Sequence, residues 1–391
     1  MDNRFTPRMG IAFLSILTLP CHAISFLDPI DKQFDIGSYL AENAYGFLPV
    51  PMIITEPAVG YGGGIVGVFL HESAEEKEAR KQKALASFDG GAQLMPAGVT
   101  AAGVAATQNG TWLAFAGHRH SWLKDSIRYI GGAGGGRFNI DIYSDLGGLL
   151  PSDRTISFGT ETEGGAIFQH VQFRIAKTPL FLGLKQIWSH TSLSSDNPIV
   201  DAILRSTIGE TMNNSGLGLQ AEYDTRDNLF FPKNGYQASA EYMVYNKALG
   251  GDYNYQILRL DGQIFVPITE QWTIAFAGNY QDFSTNEYSL PPTARPFIEL
   301  RGVPSFRYQG DQIAAAQTQV NYFITPRWTV SGFYGLGYRQ QESLKDSSQT
   351  VDAYGVGFRY QLARRYGIHM GVDLAASKDD KAFYISMGSG F

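Results

Sequence analysis

"YGVGFRYQL", Tyr354 to Leu362, alternates without a break. Successive side chains of an extended strand point to opposite faces. Tyr354, Val356, Phe358, Tyr360 and Leu362 therefore share one face, and Gly355, Gly357, Arg359 and Gln361 the other. The same period resumes after Ala363-Arg364-Arg365: Ile368, Met370, Val372 and Leu374 alternate with His369, Gly371, Asp373 and Ala375. At the end of the chain Phe383, Ile385, Met387 and Phe391 oppose Tyr384, Ser386, Gly388 and Gly390. Further back, Leu217, Leu219, Ala221 and Tyr223 oppose Gln220, Glu222 and Asp224.

A sandwich turns such an apolar face inward, whereas a membrane barrel turns it to lipid and lines its lumen with the polar face. Several features favour lipid. Residues 1–23 read as a signal peptide: Arg4 and Arg8, an apolar run from Ile11 to Leu19, then Pro20 and a small residue, Ala23. Cys21 is the only cysteine, so the exported chain is expected to carry no disulfide and no thiol chemistry. Glycine is abundant at 44 residues, Tyr and Phe number 21 and 25, and only 17% of residues are charged. No stretch approaches the roughly 18 apolar residues of a helical span. A net charge of −6 gives no footprint for nucleic acid. Aromatics cluster near strand ends, and short connections alternate with long ones, as in outer-membrane barrels. Phe391 ends a strand and looks like the C-terminal recognition signal by which such barrels are inserted by the assembly machinery.

The fold expected is an all-β, transmembrane antiparallel barrel of sixteen strands. Those strands fall near 58–70, 82–93, 97–107, 111–120, 126–143, 162–176, 179–193, 213–225, 235–247, 253–267, 270–284, 312–325, 327–340, 350–362, 366–376 and 381–391. The 82–93 strand (QKALASFDGGAQ) keeps the count even, so that both termini lie on one side. The charged run Glu75 to Lys83 then reads as a solvated outside loop. Residues 24–56 read as a periplasmic segment, with a short amphipathic helix within Asp31 to Tyr45, and residues 57–391 as the barrel.

Three motifs resemble the Omp85 superfamily, the bacterial surface antigen D15 (BamA/TamA) barrels. "LRGVPSFRYQGDQ", Leu300 to Gln312, resembles the family's sixth loop through Arg301-Gly302, with Tyr308 and Gly310 completing the motif and Val303 where an aromatic is usual. "YDTRDNLFFPKNG", Tyr223 to Gly235, resembles its periplasmic turn through Asp224, Arg226, Asp227, Pro232 and Gly235. "GVGFRY" with Asp373 and Phe391 resembles its last three strands. The resemblance spans about residues 57 to 391 and places the Arg-Gly loop between strands eleven and twelve. It implies a loop folded back into the lumen, with Arg301 docked on an acid. Gln319 and Gly335 stand where the family places carboxylates. The candidate luminal residues are therefore Asp373, Glu222 and Asp261, with Arg359 on the same inner face.

The resemblance also implies assembly or translocation of protein or lipid at the bacterial outer membrane. Its partners would be outer-membrane lipids and lipopolysaccharide and an unfolded barrel client or lipid substrate; a monomer is expected. The segment before residue 57 is too short for the periplasmic POTRA domains usual in the family. The working device would be a weak seam between a glycine-rich first strand, Gly60 to Leu70, and the last, Ala382 to Phe391. A loop-plugged channel is the main alternative, and an outer-membrane lipid hydrolase a third. Chemistry is sparse. His118 and His120 share a face beside Ser121, but no Cys or carboxylate cluster completes a metal site. "GGAGGG", 131–136, has no following Lys-Ser/Thr and is no phosphate loop; it would admit something bulky against the wall, such as the folded-in loop. No enzyme activity, metal or cofactor is expected.

Overall fold

The computed structural model describes residues 26–87, 91–92, 94–144, 156–287, 289–341, 347–378 and 380–390. The signal-peptide reading and Phe391 fall outside the described residues. Sixteen strands form one sheet in which every strand pairs antiparallel with its sequence neighbour. They are β1 Gly46–Ile54, β2 Gly62–His71, β3 Gly98–Thr107, β4 Trp112–Trp122, β5 Ile127–Ser144, β6 Ile156–Arg174, β7 Leu180–Ser194 and β8 Thr211–Asp224. The second half is β9 Gly235–Tyr245, β10 Tyr255–Pro267, β11 Trp272–Thr285, β12 Gln312–Phe323, β13 Trp328–Gln341, β14 Ser347–Ala363, β15 Ile368–Ser377 and β16 Lys381–Met387. The helices are α1 Gly37–Asn43, α2 Ala74–Ala86 and α3 Pro198–Thr207. None is long and apolar enough to cross a membrane.

The number of strands agrees with the sequence reading, but one strand differs. The described residues of 82–93 hold no strand; up to residue 86 they continue α2. Ser73 and Glu76 form a reciprocal capping box at the start of α2, and a run of Ala, Glu, Lys, Arg and Gln then sustains it. The sixteenth strand is β1, "GFLPVPMII", inside the segment expected to precede the barrel, so the sheet starts at Gly46 and not at residue 57. Pro49 and Pro51 hide it from a propensity reading, since proline cannot donate to a ladder. An edge strand tolerates both, and β1 is an edge.

This exchange turns one loop over. The chain termini and the connections after β2, β4, β6, β8, β10, β12 and β14 share one side, here the terminal side. The 286–311 and 195–210 connections lie on the far side. The charged run in α2 therefore sits with the termini, not in a far-side loop. The expected helix is shorter than Asp31 to Tyr45, covering Gly37–Asn43.

Outward-facing Leu219, Leu184, Val356 and Leu374 remain 62, 57, 59 and 55% exposed, an apolar outer face of the kind a membrane barrel turns to lipid. A terminal-side aromatic belt is built by pairs on that outer face: Trp272 with Tyr322, Trp328 with Tyr360, and Tyr223 with Tyr236, at ring-centroid distances of 4.6, 4.4 and 5.5 Å. Among the described residues no ladder joins β1 to β16. The seam strand opposite β16 is thus Gly46–Ile54 rather than Gly60 to Leu70. A hydrogen bond from the Ile385 amide to Thr55 Oγ1, 3.3 Å, links the two sides of the seam.

Candidate functional site: the luminal latch and the terminal-side cap

The 286–311 connection folds back into the lumen. Ile298, Val303 and Tyr308 pack with Ile313, Ala315, Val351 and Ala353 in one buried cluster. Two absent side chains on β13 make room for it. A Cβ on Gly335 would meet Leu300 Cδ2 at 2.9 Å, and one on Gly337 would meet Ile298 Cγ2 at 2.5 Å. The position where the resemblance expects a carboxylate is therefore filled by an apolar loop residue. Gly310 is equally constrained, its Cβ position lying 2.6 Å from the Gln340 carbonyl oxygen. The Gly302 φ of +91° is a left-handed conformation that favours glycine.

Arg301 reaches the far wall. Its Nη1 donates to Asp373 Oδ2 at 3.2 Å and its Nη2 to Gln319 Oε1 at 2.7 Å. Its guanidinium lies 3.6 Å from the centroid of the Phe333 ring. Asp373 also accepts a bidentate pair from Arg359, at 2.8 and 2.7 Å. Asp373 and Arg359 are 0 and 1% exposed, and a buried charge of this kind is stable only when paired and fully bonded. Gly357 leaves space for this group, since a Cβ there would lie 2.3 Å from Asp373 Oδ1.

The end of the chain joins the same network. Arg359 Nε donates to the Gly388 carbonyl at 3.1 Å, and Gln319 Nε2 to the Ser389 carbonyl at 2.9 Å. After β16 the chain thus turns inward instead of continuing along the wall. The loop is held at two further points, by the Gly302 amide on Tyr384 Oη (3.0 Å) and by Ser305 Oγ on Glu56 (3.0 Å). Loop, last strand and the segment after β1 are tied to one latch.

Of the three acids proposed for Arg301, Asp373 receives it. Glu222 instead accepts from Gln172 at 2.8 Å, and Asp261 from Asn279 at 2.5 Å and from Arg259 at 3.3 Å. Both face the lumen, but their strands place them in other clusters. Gln319 does not leave Arg301 without its expected partner: its amide oxygen takes the place of a carboxylate oxygen.

The turn motif lies between β8 and β9. Asp224 accepts from the Arg226 backbone and guanidinium, at 3.0, 3.0 and 2.8 Å, and Asp227 accepts from the Lys233 amide at 3.0 Å. Gly235 has φ +101°, and its Cβ position lies 2.4 Å from the Thr225 carbonyl oxygen. Asn228 Oδ1 accepts from the amides of Phe230 and Phe231, tightening the turn that Pro232 follows. Phe231 then stacks on His369, 3.9 Å between ring centroids, inside the terminal-side mouth.

A second ion cluster escaped the sequence reading. Arg327, 0% exposed, stands in the β12–β13 turn. It donates to Asp28 (2.5 Å), Asp31 (2.7 Å) and Asp35 (2.5 Å) and to the Gln361 carbonyl (3.0 Å). Arg364 adds a bond to Asp31 at 2.6 Å. Burial opposes the charge on Arg327, but the hydrogen bonds it donates to the Asp31 and Asp35 carboxylates outweigh that and raise its pKa. The hydrogen bond from Arg327 holds the Asp31 carboxyl below its ordinary range. This anchors residues 26–36 as a strap. Behind it Leu40 and Ala41 of α1, and Ala44 just after it, pack with Ala84 of α2 and with Tyr366 and Ile368, capping the terminal side. "DPIDKQFD" carries three acids within eight positions, but nothing local in it names an arginine nearly 300 positions away.

His118 and His120 do share a face, but it is the outer one, where His120 lies 4.4 Å from the Trp122 ring. Ser121 points the other way and donates to Asp125 at 2.8 Å. No group of three or more metal-ligating side chains forms among the described residues. The glycine run faces Phe115 and Phe168, each 3.0 Å from a Cβ position, rather than the folded-in loop.

Residues 153–298 match the Omp85 superfamily domain. The fold is similar to that of BamA from Haemophilus ducreyi lacking POTRA domains 1–3, with TM-score 0.57 and 10% identity over 87% of this chain and 69% of that one. It is also similar to CdiB from Escherichia coli, with TM-score 0.56 and 9% identity over 87% of this chain. The chain spans 61% of that CdiB and 59% of CdiB from Acinetobacter baumannii. Among curated proteins none is significantly similar in sequence. The expected resemblance is thus met by a match to the Omp85 superfamily domain over residues 153–298 and by a sixteen-stranded antiparallel barrel similar in fold to BamA.

Proposed function

We propose that this barrel assembles or translocates protein or lipid at the bacterial outer membrane, with the β1–β16 seam as its working edge and no enzymatic step. The observation that carries this reading is the seam itself. Every other pair of neighbouring strands is laddered, while the described residues of β1 and β16 share no ladder. An unpaired edge exposes backbone donors and acceptors that can template an incoming strand. The latch supports the reading, because Arg301, Tyr384 and Glu56 tie the folded-in loop to both sides of that edge. The terminal side would face the periplasm, since apart from the connection carrying α2 its turns are short, while long loops lie outside. Partners would be outer-membrane lipids and lipopolysaccharide and an unfolded client.

The test is a disulfide between cysteines placed at Thr55 and Ile385, the two residues whose hydrogen bond spans the seam. Depletion of the protein should lower other barrel proteins or alter surface lipid. The oxidised variant should reproduce that phenotype, and the reduced one should rescue it. Full activity of the oxidised variant overturns the seam. A steady conductance in planar bilayers, with no effect of depletion on other envelope components, would instead establish a loop-plugged channel.

A further inference from the structure

The wall from β2 to β6 breaks the rule that a barrel lumen is polar. Its inner face carries Val68, Val99, Leu113, Phe115 and Phe168, assigned by the pairing Val68↔Ala101, Val99↔Arg119, Leu113↔Gly136 and Phe115↔Gly134. Glycines 132, 134 and 136 alternate among them on β5 and thin the wall. Of these, Val99, Leu113, Phe115, Gly134 and Phe168 border a cavity of about 850 Å³, with Leu229 and Phe230 of the β8–β9 turn and Met95 also lining it. This is the size of a site for a small organic ligand. Ile130 and Phe168 remain 41 and 37% exposed although they face inward. Apolar surface left open in a concave site marks a place where an apolar group binds.

One level of the same face is cationic. Arg119 on β4 pairs in register with Ile130, Ile130 with His170 on β6, and His170 with Lys185 on β7. Lys185 is neutralised by Glu241 at 2.7 Å. Arg119 has no ion-pair partner among the described residues, and His170 Nε2 is buried without a hydrogen bond. This level lies towards the terminal side. The hollow runs from Met95 and the β8–β9 turn past this level towards the far side.

We propose that this hollow binds one acyl chain of an anionic amphiphile, the chain lying against Leu113, Phe115 and Phe168 and the anionic head on Arg119 and His170. The charge complements the head, and the apolar wall complements the chain. The lining begins at β3, so β2 alone separates the hollow from the seam strand β1. The site stands whether the barrel is an assembly factor or a channel.

The test uses the refolded full-length barrel in detergent and two photoactivatable probes with the same chain, lysophosphatidylglycerol and neutral monoacylglycerol. Mass spectrometry should place cross-links of both on Leu113, Phe115, Ile130 and Phe168. Arg119→Gln should lower capture of the anionic probe about tenfold, as for a charge-assisted contact, and leave the neutral probe within about twofold. Ala101→Trp, on the inner face, should abolish capture of both, and the neighbouring outer-face Ala102→Trp should not. If Ala101→Trp does not fold, judged by the heat-shifted gel band, Leu113→Ser should give the same loss. Cross-links confined to outer-face Ala102, Ala114 or Ala116, or capture indifferent to the inner-face variants, would overturn the site. Equal loss of both probes in Arg119→Gln would overturn the assignment of the head.

Discussion

The two sides of the lumen are built on opposite principles. From β12 to β16 the inner face is a polar network, with Asp373, Arg359, Gln319 and Asn321 no more than 2% exposed. From β2 to β6 it is alanine, glycine and aromatics around open space. One side gains rigidity because each buried charge fixes its neighbours. The other side holds few directional contacts, so it can admit a ligand or deform. The contrast teaches that a barrel need not have one kind of interior: the side beyond the loop latch is closed by charge, and the side beside the first strand is left for shape.

The comparison breaks most directly at Asp373. Asp373→Ala leaves Arg359 and Arg301 buried without their shared carboxylate. Loss of one partner of a buried pair costs about 3–5 kcal/mol, to be read as a lower denaturant midpoint of the refolded barrel. Arg327→Met should release the strap at a cost of about 3 kcal/mol, seen as protease cleavage within residues 26–45 while the heat-shifted band persists. Acid should act on the same strap. The folded pKa of Asp31 is depressed, so its contribution is complete above the ordinary Asp value and lost as pH falls through the folded value. A fluorophore on Gln33 should therefore report detachment only on acidification below the ordinary carboxylate range, and detachment near neutrality would contradict the assignment.

Gln319→Glu sharpens the comparison. It gives Arg301 a carboxylate but takes the amide donor from the Ser389 carbonyl. Faster amide exchange at residues 388–390, with the loop still protected, is the expected result, at a cost of about 1–3 kcal/mol for the carbonyl left unpaired. The smallest effect belongs to the other side: Arg119→Gln should change the denaturant midpoint by less than about 0.5 kcal/mol, because no protein partner loses a bond.

The same contrast explains what could be read from the chain. Alternation is plain from β8 to β16, where one face is polar, and most strands there fall near their expected bounds. In β2 to β4 both faces carry apolar or small residues, so the period fades. In β1 the prolines mask it, and the helical run of α2 stands where the sequence predicts a strand. The latch was legible as Arg301-Gly302 and as three acids on inner faces. Choosing Asp373 needed the position of strands that are not sequence neighbours, which periodicity does not carry. Arg327 was invisible for the same reason, as its acids lie at the other end of the chain.

That last separation has a consequence in time. Arg327 meets carboxylates 292 to 299 positions earlier, and Arg364 lies further on still. The strap cannot seat until β12 to β15 exist, and contacts of such long sequence separation pay their loop-closure cost late. The mouth on the terminal side thus stays unsealed while the wall is being laid down, and docking of residues 26–36 marks the completion of the barrel.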